Sequence, residues 1–402
     1  MLKLYKHLKP YAAMVAGVFI FVFLQTMGDL YLPRLMSEII NKGVMRGDIA
    51  VILQLGVRML LVAALGAFCA IVSSYLSARA AVGFGTVLRN KVFRQVQSFS
   101  LHEFDRLGTA TLITRTTNDI TQIQNVTVMI MRMMISAPMM AIGGIIMATR
   151  EDRQLVWVLA VAVPVLAIVV ALIASRMIPL FRTVQAKVDR LNLILREKLT
   201  GVRVIRAFNR EEYESQRFAG ANDDLTENYI KVNRIMALMM PSIMLIMNLT
   251  SISILWFGGN LISQDKLDLG ALSAFTQYAM QIMFSILMMA VMFIMVPRAQ
   301  AAADRINEVI ELTPGITGPA EENNFFSAKG LLEFRDVTFS YHGAEKPVLQ
   351  GISFTAGPGE VTAIIGSTGS GKSTLINLIP RFYDVDSGSI LIDGVDIRGM
   401  SQ

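Results

Sequence analysis

The chain has 402 residues, of which 53% are hydrophobic and 17% charged, with a mean hydropathy of +0.51 and a net charge of +6. That balance excludes an ordinary soluble globular protein and points to a membrane protein of two or three domains. The single cysteine, Cys69, lies in the apolar run Ala67-Phe-Cys-Ala-Ile71, so an internal disulfide framework is excluded and Cys69 reads as a small apolar residue. The basic start Met1–Lys9 leads into an apolar stretch too long for a signal-peptide core and without a small-residue cleavage site, so no cleavable leader is expected.

Six long runs carry no charge: Tyr11–Gly28, Met59–Ala78, Met133–Thr149, Gln154–Ser175, Ile235–Gln264 and Leu269–Pro297. Each is close to or above the ~18–20 residues that cross a bilayer as helix. Lysine and arginine are concentrated in alternate connections, six in Arg79–Arg115 and twelve in Arg176–Arg234. The intervening connections Asn41–Ala50, Arg150–Arg153 and Ser263–Leu269 are short and poor in them. By the positive-inside rule the amino terminus, both long loops and the carboxy-terminal segment are expected in the cytoplasm. The protein is thus expected to be a multi-pass protein of a plasma (inner) membrane.

Asp29 follows the first run directly. It is either a solvated group at the outer interface or a substrate or gating contact. The 26 methionines, dense over Met129–Met134 and Met280–Met295, form either an adaptable binding wall or ordinary packing and lipid-facing surface.

The two cytoplasmic loops carry helical periodicity of their own. Val184, Val188, Leu191, Leu195, Val202 and Ile205 recur at helical spacing opposite Arg182, Lys187, Arg190, Arg196 and Arg203. A continuous helix is predicted over Gln154–Ala207, with others over Arg79–Phe99 and Thr116–Arg132. Asn209–Arg217 reads as a polar turn at the far tip, with Leu101–Leu107 as its counterpart in the first loop.

Glu311–Gly330 holds two prolines and three glycines and reads as a linker. The expected organisation is a membrane domain over 1–311, a linker over 312–330 and a nucleotide-binding segment over 331–402. In the last of these, Leu331–Tyr341 reads as a strand with a possible bulge at Arg335-Asp336. Val348–Ala356 and the turn Gly357–Glu360 follow, and Ser389–Ile397 reads as a hairpin-like pair.

The most specific signal is Gly366-Ser367-Thr368-Gly369-Ser370-Gly371-Lys372-Ser373-Thr374, which fits G-x-x-x-x-G-K-[ST]. Val361–Ile365 before it reads as a buried strand and Leu375–Ile379 after it as a helix. The glycines let backbone N–H groups turn onto an anion without a Cβ clash, and the start of the following helix adds attraction. Lys372 is expected to reach the β- and γ-phosphates of a nucleoside triphosphate, and the Ser373 hydroxyl to bind Mg²⁺. ATP and Mg²⁺ are the cofactors this implies.

Together these features resemble the ATP-binding cassette exporters of the half-transporter, multidrug type. The resemblance covers essentially the whole chain. It rests on the six spans with long cytoplasmic extensions, Ile113–Asp119 (ITRTTND), Val204–Glu212 (VIRAFNREE), Val337–Tyr341 (VTFSY), the phosphate loop and Asp384–Gly394 (DVDSGSILIDG). It implies a membrane α-helical protein with the N-terminal part of an α/β P-loop ATPase domain. It implies that Tyr341 stacks on adenine, in agreement with the ring face that a strand-edge aromatic offers a base. The polar tips resemble the helices that dock on the ATPase domains.

The implied function is ATP-driven export of hydrophobic or amphipathic small molecules, as one half of a homo- or heterodimer. The alternatives are a lipid or peptide translocase, or a non-catalytic membrane subunit. A bilayer is the implied setting, a bacterium the implied source, and nucleic acid is not an expected partner. The family's glutamine loop, signature loop, second acidic strand and switch histidine do not follow Lys372; the three histidines, His7, His102 and His342, all precede it. The chain therefore reads as a carboxy-terminal truncation with no catalytic residue of its own, expected not to turn over ATP by itself.

Overall fold

The computed structural model describes residues 1–316, 329–341 and 343–400. Most of the expected linker, residues 317–328, and His342 lie outside the described residues. The chain divides into two compact units. One comprises Tyr11–Ala80 and Thr127–Val296, the other Met1–Pro10, Ala81–Val126 and Pro297–Gln402.

The long helices are Ala12–Glu38 (α1), Ile49–Gln97 (α2), Ile120–Glu151 (α4), Val156–Thr200 (α5), Glu211–Ser263 (α6) and Leu269–Glu311 (α7); the short Leu101–Leu107 (α3) lies between the second and third of them. Among the described residues six helical stretches are long and apolar enough to cross a membrane, and each contains or overlaps one of the charge-free runs. On α2 the side chains of Leu53, Val57, Leu60, Leu61, Phe68 and Ile71 are all more than half exposed. An apolar stripe of that length has no stable place in water and is a lipid-facing surface. The protein is an integral membrane protein.

In the first unit α1 passes without a break through Asp29, so the helix continues beyond the charge-free run. Pro33 lies within the same helix. Proline has no N–H, and its ring crowds the carbonyl four residues earlier, so the carbonyl of Asp29 loses its helical donor. The Gln281 side-chain Nε2 donates to that oxygen at 3.1 Å, and Tyr278 Oη donates to the next carbonyl, that of Leu30, at 2.9 Å. Tyr278 is fully buried in a cluster with Leu30, Leu155, Ile254 and Phe275. Adjacent glycines let α4 come close on two sides. A Cβ on Gly143 would stand 2.5 Å from Leu30 Cδ1, and one on Gly144 2.7 Å from Ile282 Cγ1. Small residues of this kind are what let membrane helices approach each other.

The helix predicted over Gln154–Ala207 ends at Thr200. Gly201 interrupts it, and Val202–Ala207 is a separate short helix. Ile194, not Leu195, is the buried residue, and Val184 packs with Leu225 and Val232 of α6. The polar turn expected over Asn209–Arg217 is confined to its start. Asn209 takes a left-handed conformation (φ 51°), and α6 begins at Glu211. Glu211, Glu212 and Glu214 fill the first turn of α6, where the helix dipole favours negative charge.

In the second unit, apolar residues at helical spacing meet: Phe84, Leu88 and Val92 of α2, Ile120 and Ile123 of α4, and Ile306 and Val309 of α7. Charges within the ITRTTND stretch lock this cluster. Arg305 makes a two-pronged ion pair with Asp119, and Arg115 donates to the Arg305 carbonyl at 3.1 Å and pairs with Glu308 at 2.8 Å. Arg115 and Asp119 are both buried and bound a turn wider than α-helix, Arg115–Asp119.

The same unit holds a four-stranded antiparallel sheet of Leu332–Phe339 (β1), Leu349–Ala356 (β2), Ser387–Ile392 (β3) and Val395–Asp396 (β4), in the order β2-β1-β3-β4. The expected bulge is present, with register shifts after Phe334 and Arg335 and Asp336 at φ 49°. Gly388 is required opposite it, because a Cβ there would stand 2.3 Å from the Asp336 carbonyl oxygen. The expected hairpin turns at Asp393-Gly394, both at positive φ, as two-residue hairpin loops require. The Asp393 carboxylate accepts from the backbone N–H groups of Leu331, Gly330 and Lys329, which hold it below the usual carboxylate range and tie the start of β1 to the hairpin.

One expectation fails here. Val361–Ile365 is not a buried strand: it forms no ladder, and Val361 and Ile365 are 98% and 92% exposed. A continuous apolar run of this kind belongs in the middle of a parallel sheet, covered on both faces. The described strands are all antiparallel, and none lies beside it to take its backbone hydrogen bonds.

Asp119→Asn removes a nearly buried carboxylate from two guanidinium contacts, with Arg305 half exposed. The expected loss lies between that of an exposed and a buried pair, about 2 kcal/mol. It is read as a lowered midpoint of thermal unfolding in detergent, and an unchanged midpoint would show the pair to be idle.

Candidate nucleotide site

The nine residues Gly366–Thr374 lie together as one loop opening into the helix Lys372–Leu378 (α8). Gly369 and Gly371 both sit at φ +86°, a region closed to other L-residues at little cost only for glycine. Leu375 and Leu378 anchor α8 on the sheet beside Phe334, Val337, Phe339 and Ile390. The loop is thus held from its helical end, while residues 361–370 are exposed.

Lys372 is folded into the loop. Its ammonium donates to the carbonyls of Gly366 at 2.8 Å and Ser367 at 2.7 Å. A lysine ammonium has three N–H donors. Two are taken by the loop's carbonyls, which fix the charge at the loop's centre, and the third meets the Ser370 hydroxyl in a long contact of 3.5 Å that an anion can replace. Ser373 follows in the first turn of α8. Mg²⁺ on a nucleotide takes one or two protein oxygens, with phosphates and waters filling the octahedron, so one hydroxyl at this place suits such a set. Thr374 differs from its neighbours: it is buried, and its hydroxyl bonds the Tyr341 hydroxyl at 2.9 Å.

Tyr341 lies just beyond β1. Its ring meets those of Phe339 and Tyr383 edge to face at 5.1 and 5.4 Å. It lines a cavity of about 950 Å³. The sequence assigns Tyr341 its ring alone, whereas in the structure its hydroxyl also touches the phosphate loop.

That cavity also gathers residues that the sequence places only within longer stretches and, in Tyr383, one that it does not mark. Tyr383, Asp384 and Asp386 line it from the segment after α8, and His102, Asp105 and Arg106 from α3. Tyr383 Oη donates to the Asp105 carboxylate at 3.0 Å. Burial first, and then the neighbouring Asp105 carboxylate, push the Tyr383 phenol up to about 12. The helix α3 is itself secured by a capping box in which Glu103 accepts from Ser100 N at 2.7 Å. Glu103 also accepts from Gly315 N at 3.1 Å. Burial alone would raise its carboxyl, but the hydrogen bonds from Ser100 and Gly315 outweigh it and hold the group below its ordinary range. The spacing Ser100-x-x-Glu103 carries the signal for this cap in the sequence. No comparable local signal exists for the pairing of Asp105 with Tyr383.

Comparison with known proteins agrees with this geometry. Residues 15–287 match the ABC transporter transmembrane region, and residues 349–402 match the ABC transporter domain. An uncharacterized ABC transporter ATP-binding protein of Mycobacterium tuberculosis is 43% identical over 395 residues, 98% of this chain and 68% of the relative. An ATP-dependent lipid A-core flippase of Syntrophus aciditrophicus is 30% identical over 334 residues, 83% of this chain and 55% of the relative. A fatty acid ABC transporter ATP-binding/permease protein of Mycobacterium bovis is 31% identical over 315 residues, 78% of this chain and 49% of the relative. With the transmembrane-region match over most of the chain and a relative 43% identical over 98% of it, the chain belongs to the ABC transporter family.

Proposed function

We propose that this protein is one half of a dimeric ABC exporter that uses ATP to move hydrophobic or amphipathic small molecules out of the cytoplasm. The observation that carries this reading is the folded phosphate loop with Lys372 at its centre, on the same chain as six helices of membrane-crossing length. In this reading residues 1–311 are the membrane domain, 312–330 the linker and 331–402 part of the ATP-binding cassette. The amino terminus and the cassette face the cytoplasm, as the lysine and arginine distribution favours.

Gly366–Thr374 cradles the phosphates, Ser373 contributes one oxygen to Mg²⁺, and Tyr341 supports adenine from the neighbouring cavity. The chain's own groups do three things: they fix a cation at the loop's centre, present backbone N–H groups to an anion, and offer a ring face. These are binding contacts. Hydrolysis also needs a group to orient the attacking water and donors that follow the moving charge, so these 402 residues alone are not expected to turn over ATP. Lipid translocation is the second reading. It is favoured by the relatives named for lipid A-core and fatty acids.

In a full-length relative that carries a complete cassette, Lys372→Ala should reduce ATP-driven uptake of a lipophilic dye by inverted vesicles to background while membrane insertion is kept. Undiminished uptake would remove the phosphate loop from the mechanism. Phosphate release by the purified 402-residue chain should equal that of its Lys372→Ala variant, and a clear excess would show that the groups present suffice for catalysis.

Tyr341→Ala should weaken binding of a fluorescent ATP analogue by about 1–3 kcal/mol, the worth of one base stack. Tyr341→Phe keeps the ring and loses only the bond to Thr374, about 1 kcal/mol. Equal losses in the two variants would assign the whole effect to the hydroxyl.

A further inference from the structure

A second cavity, of about 430 Å³, lies in the membrane-helix unit, and Asp29 lines it. Its apolar wall includes Met133, Met140, Met280, Met288 and Phe284. Methionine and an aromatic ring adapt to apolar bodies of varied shape. Its polar lining is Gln25, Thr26, Asp29, Ser136, Gln281 and Ser285, and several of these groups can offer only acceptors. Thr26 Oγ1 donates its one proton to the Val22 carbonyl at 2.8 Å, and Ser285 Oγ donates to that of Ile282 at 2.7 Å. Both hydroxyls therefore keep only lone pairs to offer. The Gln25 side chain is hydrogen-bonded to the Asp29 carboxylate.

Gln281 cannot turn its amide around. Its Nε2 is committed to the Asp29 carbonyl that Pro33 leaves without a helical donor, so its Oε1 is fixed beside the cavity, buried and without a partner among the described residues. No lysine, arginine or histidine lines this cavity. A carboxylate met by the Gln25 amide alone, and a buried amide oxygen with no partner among the described residues, are costly unless something else supplies positive charge and further N–H donors.

We propose that this cavity recognises amphiphiles bearing a protonated amine, with Asp29 as the residue that selects for charge and the methionine wall holding the apolar body. This rests on the export reading for its place in transport, and names the class of cargo within it. The volume suits a drug-sized molecule, not a bare ion. An ammonium headgroup on an aminolipid and one on a soluble amphiphile present the same chemistry to Asp29.

The test uses the detergent-purified transporter without nucleotide and three dansyl probes: dansylcadaverine, its neutral N-acetyl derivative and the carboxylate dansyl-aminocaproate. Dansylcadaverine should bind about tenfold more tightly than the acetylated probe, the scale of one partly desolvated charge contact, with the carboxylate weakest. Asp29→Asn should abolish the preference without weakening the neutral probe, and Asp29→Glu should retain it. Competition by decylamine against a short-chain phosphatidylethanolamine then separates the soluble source from the lipid source.

Equal binding of the charged and neutral probes by the unaltered protein overturns the proposal without any variant. A preference that survives Asp29→Asn, or an equal loss of all three probes in that variant, also overturns it. ATP-driven uptake of the same probes into inverted vesicles is read separately, with these residues joined to a complete cassette. Uptake indifferent to charge removes this inference and leaves export standing. Charge-selective binding without any uptake does the reverse.

Discussion

Inside a bilayer there is no water to take up a backbone carbonyl that a helix leaves unpaired. Pro33 creates such a carbonyl at Asp29, and the organisation of the membrane unit around α1 follows from how it is satisfied. Gln281 and Tyr278, on α7, reach the carbonyls of Asp29 and Leu30. Tyr278 is then buried among Leu155, Ile254 and Phe275, so α6 and the start of α5 are gathered at the same place. The glycine pair at 143 and 144 completes the arrangement by letting α4 approach Leu30 and Ile282. A polar requirement of the backbone, not a preference of apolar side chains for one another, specifies which helix faces meet. Apolar faces alone would not, since lipid is as apolar as leucine.

The second unit is held by a different balance. Phe84, Leu88 and Val92 are buried together against α4 and α7, whereas Leu60, Leu61 and Phe68 on the same helix stay exposed. The ion pairs of Arg115, Asp119 and Arg305 sit beside this cluster, where they add direction to a non-directional contact. In the sheet, Asp393 does comparable work by capping three consecutive backbone N–H groups at the start of β1.

What the sequence could show was what is written locally. The spans are legible because twenty residues without charge is a property of a short stretch. The phosphate loop is legible because its glycine positions and Lys372 set a conformation within nine residues. The bulge at Arg335-Asp336 and the Asp393-Gly394 turn are legible for the same reason. Contacts between distant positions were not legible: Tyr383 with Asp105 is separated by 278 residues, and Gln281 with Asp29 by 252. Asp29 stood out in the sequence as a charge beside a span, but its surroundings depend on three helices at once. Val361–Ile365 shows the opposite failure. Its composition is that of a central strand, yet a strand exists only through its neighbours, and the described strands supply none.

An exporter must hold its cargo in one state and release it in another, so its site has to differ in affinity between the two. Asp29 is well placed for such a change. Its carboxylate and its carbonyl belong to one residue, and the carbonyl is held from α7 at the point where Pro33 weakens α1. In the export reading, a change of bend in α1 at Pro33 would alter the bond from Gln281 to the Asp29 carbonyl and, through the same amide, the position of the Gln281 Oε1. One backbone rearrangement would then change together the two acceptors proposed to meet a positively charged cargo, which is the differential affinity that export requires.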